Sequence, residues 1–204
     1  MNKIFLDDIE IIPSKVVCIG RNYMDHINEL NNEIPEDMVF FIKPNSAVSN
    51  RLVFPKNQNS CHYEAEISFL IEDDKISAVG FGLDLTLREV QSKLKAKGLP
   101  WERAKAFDGA AVFSKFISFD KDISKLEIEL YINGELKQKG DYSLMINKPN
   151  EIINEAKTFL SFEDGDILMS GTPKGVGSFK VGDVFLGRIL FDNKIILEEE
   201  FIVF

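Results

Sequence analysis

The run His62-Tyr63-Glu64-Ala65-Glu66 holds side chains that could do chemistry. It opens an apolar stretch, Glu64 to Ile71, with the alternation of a half-buried strand. Cys61, Tyr63, Ala65, Ile67, Phe69 and Ile71 fall on one face, and His62, Glu64, Glu66 and Ser68 on the other. Side chains two apart on a strand point the same way, about 7 Å apart. Two carboxylates held so repel each other unless water, a lysine or a divalent metal stands between them. A bare Glu-x-Glu reads as a solvated strand face, and Asp84 changes that balance. It ends the next apolar stretch, in Gly80-Phe-Gly-Leu-Asp-Leu-Thr86. A hairpin through Glu72-Asp73-Asp74-Lys75 would return that stretch beside the first. Glu64, Glu66 and Asp84 would then form an all-oxygen triad suited to Mg²⁺, Mn²⁺ or Ca²⁺ rather than zinc.

Other residues stand where elements end. Lys15 to Ile19 reads as a short buried strand, turned out by Gly20-Arg21-Asn22-Tyr23. The polar segment Met24 to Asn32 reads as a helix of two or three turns. Its His26 and Glu29, three apart, share a face. Val39 to Ile42 reads as a strand broken by Lys43-Pro44-Asn45-Ser46, and 54–60 as a loop. After Asp84, Thr86-Leu-Arg-Glu89 has the pattern of a capping box. The helix it starts runs to about Lys97, with Gln91 beside an apolar stripe of Leu87, Val90 and Leu94. Trp101 to Asp108 is irregular, and taken alone its Lys105 reads as a surface charge. Leu126 to Ile132 meets Asn133-Gly134, a strong hairpin signal. Ile152, Ile153, Ala156, Phe159 and Leu160 mark an amphipathic helix. A strand over Asp166 to Ser170 ends in the glycine-rich loop Gly171 to Gly177, whose amides could hold a carboxylate. Two closing strands flank a turn at Asp192-Asn193. These elements predict an α+β fold with a mixed, mainly antiparallel β core, as one domain over residues 1–204.

Composition narrows the classes. The chain has 204 residues, 45% of them hydrophobic, and a net charge of −9. That charge argues against nucleic acid and anionic membrane surfaces as partners. No apolar run approaches the roughly 20 residues of a membrane span. The N-terminus meets Asp7 and Asp8 too early for a signal peptide. Cys18 and Cys61 sit in apolar contexts and read as buried thiols in a reducing cytoplasm.

Five motifs in order carry a resemblance. They are Gly-Arg-Asn-Tyr-x-x-His-x-x-Glu (20–29), His-x-Glu-x-Glu (62–66), Leu-Asp-Leu-Thr (83–86), Lys-Gly-Leu-Pro-Trp…Ala-Lys-x-Phe-Asp (97–108) and Gly-Thr-Pro-x-Gly-Val-Gly (171–177). Together, from about Lys15 to Gly187, they resemble the fumarylacetoacetate hydrolase family, in its short single-domain branch of the acylpyruvase type. The resemblance implies a mixed β-roll, a homodimer, and Glu64, Glu66 and Asp84 as ligands of Mg²⁺ or Mn²⁺. It implies His26 and Glu29 as a water-activating dyad on a lid over 24–34 that orders on substrate. It implies Lys105 at the substrate's keto oxygen, with Arg21, Gln91 and Thr172 as further polar contacts. The leading expectation is hydrolysis of the C3–C4 bond of acylpyruvates, small 2,4-diketo acids. The alternatives within the family are oxaloacetate decarboxylation or tautomerisation and 2-keto-4-pentenoate hydration or isomerisation. A non-catalytic metal-binding β module is the alternative of a different class; it predicts a saturated metal site and no turnover.

Overall fold

The computed structural model describes residues 1–30 and 33–204. Two short strands, β1 (Ile4–Leu6) and β2 (Ile9–Ile11), pair at the N-terminus, and β3 (Lys15–Gly20) follows. The expected helix forms as α1 (Met24–Glu29) and buries His26 and Ile27. Asn31 and Asn32, part of the expected lid, lie outside the described residues. The next strand, β4 (Val39–Pro44), is not broken at Lys43 as the sequence suggested. Lys43 stays in register opposite Val16 and is fully buried, because its ammonium finds partners inside. After β5 (Val48–Ser49) come β6 (His62–Tyr63), β7 (Ala65–Glu72) and β8 (Lys75–Asp84). The hairpin between β7 and β8 turns where expected, with Asp73 and Asp74 left-handed at φ 49° and 61°.

The capping box does not form. Helix α2 (Arg88–Ala96) has Leu87 at its N-cap with no side-chain cap bond. The Thr86 hydroxyl instead accepts a hydrogen bond from Lys105 Nζ at 2.7 Å. The segment expected to be irregular contains a one-turn helix, α3 (Glu102–Lys105). Its last residue is buried, which overturns the surface reading of Lys105. Strand β9 (Ala111–Ser118) is followed by the hairpin of β10 (Leu126–Ile132) and β11 (Glu135–Asp141). Its turn residues Asn133 and Gly134 are both left-handed, as a two-residue hairpin turn requires. Helix α4 (Pro149–Ala156) ends one turn early, leaving Phe159 exposed against Phe40. Then come β12 (Ile167–Met169), β13 (Gly177–Ser178), β14 (Val184–Phe191) and β15 (Lys194–Ile202).

Among the described residues these strands make a nine-stranded sheet in the order β2-β1-β9-β8-β7-β12-β3-β4, with β5 on β9. Its pairs are antiparallel except β1–β9, β12–β3 and β5–β9. A four-stranded sheet, β11-β10-β14-β15, packs on one face. The result is a mixed half-barrel with few helices. No helix among the described residues is long and apolar enough to cross a membrane. Cys18 and Cys61 are free and buried.

The expectation of a half-buried glutamate strand fails. Ala65 to Ile71 are buried on both faces, because β8 and β12 flank β7 and a core lies on either side. Ile67, Phe69 and Ile71 enter the larger core shared with the second sheet. Leu70, on the glutamate face, enters a smaller core with Val16, Cys18, Phe113 and Met169. The two sheets meet closely where Gly187 of β14 faces Phe81. A Cβ there would come 2.6 Å from the buried Phe81 ring. Gly187→Ala is therefore expected to lower stability by about 1–3 kcal/mol in urea unfolding. An unchanged midpoint would mean that the sheets separate at no cost.

Candidate active site

The triad forms at one end of the glutamate face. Antiparallel pairing places Glu66 opposite Gly82, and the Asp84 N–H donates to the Glu64 carbonyl at 2.8 Å. Glu64, Glu66 and Asp84 are buried, and each offers a carboxylate oxygen within 4.8 Å of the others. Such crowding needs counter-charge, and three other elements supply it. Lys105, from α3, donates to Glu64 Oε2 at 2.7 Å and Asp84 Oδ2 at 2.6 Å. Arg88, from α2, pairs with Glu64 Oε1 and donates to Gln91 Oε1 at 2.9 Å. Lys43, from β4, stands 2.7 Å from Asp84 Oδ1. Its hydrogen bonds run to the carbonyls of Leu85, Lys105 and Ala110, so Asp84 Oδ1 accepts none that is aligned. Glu66 Oε2 takes the N–H of Gly171 at 2.7 Å.

Protonation follows these contacts. Burial would raise the Glu64 carboxyl, but Lys105 and Arg88 outweigh it and hold Glu64 well below the usual range. Burial, joined by the charges of Asp84 and Glu64, pushes Glu66 well above that range. Burial disfavours the Lys105 ammonium, yet Asp84 and Glu64 overcome it and keep the lysine charged.

A hard divalent cation fits these residues. The donors are oxygen only, one Asp84 oxygen lacks an aligned partner, and the surroundings of Glu66 disfavour its charge until a cation offsets it. The glycine-rich loop does hold carboxylates, and they belong to the protein. Gly171 holds Glu66, and the Gly175 N–H donates to Glu29 Oε1 at 3.0 Å. Gly175 is left-handed at φ 99°, and a Cβ there would meet the Lys137 carbonyl at 2.0 Å.

Beside the triad lies a narrow pocket, lined by the triad and by Arg21, His26, Arg88, Gln91, Lys95, Trp101, Lys105 and Thr172. Of the residues expected from sequence, Glu29 does not line it. Glu29 reaches the site through His26, whose Nδ1 stands 3.3 Å from its Oε2. Burial lowers the His26 pKa, against smaller opposing effects of Glu64 and Glu29. Arg21 lines the pocket from a left-handed backbone, φ 57°, and donates to the Glu33 carbonyl at 3.2 Å. Gln91 is buried there. The Thr172 hydroxyl is already engaged, donating to the Ala65 carbonyl at 2.9 Å and accepting from Gln138 at 2.8 Å. Lys105 likewise gives its three N–H groups to Glu64, Asp84 and Thr86.

Sequence reading missed Lys43, Arg88 and Lys95. Arg88 was within reach, since it lies three residues before Gln91 on one helix. Nothing local marks Lys43.

The half-barrel carries a buried, cation-backed acidic triad open to a polar pocket, a set of oxygens that a divalent cation would fit. The family model for the fumarylacetoacetate (FAA) hydrolase C-terminal region matches residues 15–189, and the chain belongs to the fumarylacetoacetate hydrolase family. It is 40% identical to the oxaloacetate tautomerase YcgM of Escherichia coli (strain K12) over 187 residues, 83% of this chain and 85% of that protein. It is 35% identical to the mitochondrial oxaloacetate tautomerase FAHD1 of Homo sapiens over 184 residues, 82% and 83% of the two chains. A fumarylpyruvate hydrolase from Pseudomonas aeruginosa, solved with Mn²⁺ and pyruvate, superposes with a TM-score of 0.89 at 28% identity, covering 99% of this chain and 95% of that one.

Glu66→Ala should abolish Mn²⁺ binding in calorimetric titration, because a hard cation loses one of three protein ligands. Unchanged affinity would refute the triad as a metal site.

Proposed function

We propose that the protein interconverts the keto and enol forms of oxaloacetate and, more slowly, decarboxylates it, with Mg²⁺ or Mn²⁺ at Glu64, Glu66 and Asp84. One observation supports this choice over hydrolysis of a monoanionic acylpyruvate. Four cationic side chains, Arg21, Arg88, Lys95 and Lys105, line the pocket with only three carboxylates. A divalent cation adds two more positive charges, and a dianionic substrate offsets more of that excess than a monoanion. The names of the relatives agree with this reading.

The bound cation would polarise the 2-keto oxygen and so acidify the C3 hydrogens. Neutral His26 takes the C3 proton at Nε2, while Glu29 on Nδ1 fixes the tautomer and stabilises the imidazolium. Lys105, once Glu64 and Asp84 are committed to a cation, has N–H donors to give to the enolate oxygen at C2. Protonation of that oxygen completes the enol. In decarboxylation the C3–C4 bond breaks, CO₂ leaves, its electron pair forms the enolate of pyruvate, and that enolate takes a proton at C3, with no attacking water. Thr172, whose hydroxyl proton is occupied, is better suited to holding the glycine loop on β7 than to contacting substrate. The second reading, acylpyruvate hydrolysis, is favoured by the His26–Glu29 pair, which could equally activate water at a distal carbonyl.

Following the enol absorbance of oxaloacetate with Mg²⁺-loaded protein tests the proposal. The expected result is faster decay than with Mg²⁺ alone. No acceleration would overturn it, and pyruvate release from acetylpyruvate at a higher kcat/KM than any activity on oxaloacetate would favour the second reading. Glu29→Gln should lower tautomerisation by roughly 10²–10⁴-fold with Mn²⁺ affinity intact. Loss of both would make Glu29 a structural residue.

The depressed His26 pKa gives a sign for pH dependence. The base is neutral above its pKa, so kcat/KM should hold as pH falls to 6.5 and decline only below it. A decline already complete at pH 6.5 would exclude His26 as the base.

A further inference from the structure

Helix α2 presents Arg88, Gln91 and Lys95 to the pocket. Spacings of three and four place them on one helix face. Arg88 is tied to Glu64 and Gln91 at the N-terminal end. Lys95 stands roughly 10 Å further along the axis. Its Nζ stands 5.1 Å from the centroid of the Trp101 ring, which also lines the pocket. Lys93 on the same helix and Lys97 at its C-cap are exposed, as ordinary lysines at a helix C-terminus are. Lys95 is half-buried instead.

The cations of the pocket divide by position. Lys105 and Arg88 are bonded to the triad, where the keto-acid head of a substrate belongs, and Arg21 enters from the turn after β3 and donates to the Glu33 carbonyl. Lys95 lies two helical turns beyond Arg88, with the aromatic face of Trp101 as its floor. We propose that Lys95 is a specificity-determining residue whose ammonium receives the second carboxylate of a 2-keto dicarboxylic acid. The assignment rests on the oxaloacetate reading of the site and extends it to how that substrate is told from a monoanionic keto acid. The electrostatics agree. Burial, with repulsion from Arg21, Arg88 and Lys105 against attraction from Glu64, lowers the Lys95 pKa to about 8. An arriving carboxylate relieves that repulsion, whereas an apolar tail does not.

Two measurements on Mn²⁺-loaded protein test this. One is calorimetric displacement of bound pyruvate, which has the keto-acid head alone, by oxaloacetate. The other is steady-state kinetics on oxaloacetate with pyruvate as competitor. Wild type should bind oxaloacetate at least tenfold more tightly than pyruvate. Lys95→Met should raise the oxaloacetate KM at least tenfold, change kcat less than threefold and leave the pyruvate inhibition constant unchanged. Lys95→Arg, which keeps the charge, should restore most of the KM. An unchanged KM in Lys95→Met, or a pyruvate constant that rises in parallel, would overturn the assignment, the latter making Lys95 a wall residue only. Wild type that binds oxaloacetate no more tightly than pyruvate would overturn it as well. Wild type that binds oxaloacetate tightly but does not convert it would defeat the functional reading and leave Lys95 as a carboxylate-binding residue.

Discussion

Three carboxylates buried within 4.8 Å of one another are an electrostatic burden that the rest of the chain is arranged to relieve. A buried charge left without a partner costs about 3–5 kcal/mol. Each element around the triad brings a compensating group. Lys43 comes from β4, Arg88 from α2, Lys105 from α3 and the Gly171 N–H from the loop after β12. The placement of the short helix α3 follows from this need. Without Lys105, Glu64 and Asp84 would face each other with a single cation each.

The same arrangement leaves the site able to respond to ligands. Lys105 is bonded to the oxygens that a divalent cation would take, so cation and lysine compete for Glu64 and Asp84. Competition of this kind couples metal occupancy to the availability of a hydrogen-bond donor. A pocket whose cationic side chains already outnumber its carboxylates would become strongly positive if a divalent ion entered, and would then attract an anion.

The glycine-rich loop links the two halves of the site. Gly171 steadies a triad member, and four residues later Gly175 steadies Glu29 beneath His26. Gly175 must be glycine here, because the Lys137 carbonyl occupies the space of a side chain and the backbone is left-handed. Gln138 and Thr172 fasten this loop to β7 through the Ala65 N–H and carbonyl. The His26–Glu29 pair and Glu66 are thus tied through one loop to β7 by hydrogen bonds between side chains and backbone.

Much of this was legible in the chain itself. Period-two alternation over 61–71 puts Glu64 and Glu66 on one face whatever surrounds them. The turns at Asp73-Asp74 and Asn133-Gly134 return β8 beside β7 and β11 beside β10, although the register that sets Asp84 beside Glu64 also needs the one-residue shift at Leu70/Ile71. These are local properties, set by backbone geometry over a few residues. What surrounds the glutamates was not legible, because it arrives from far along the chain. Lys105 meets Asp84 across 21 residues and Glu64 across 41. A core on each side made a buried strand of one whose pattern reads as half-exposed. Thr86 has the local pattern of a helix cap, yet its hydroxyl goes to Lys105. The buried Lys105 ammonium claims that hydroxyl, and the helix starts after Leu87 with no side-chain cap. Only the tertiary structure, by deciding which charges are removed from water together, could decide which lysines belong to the site and which to the surface.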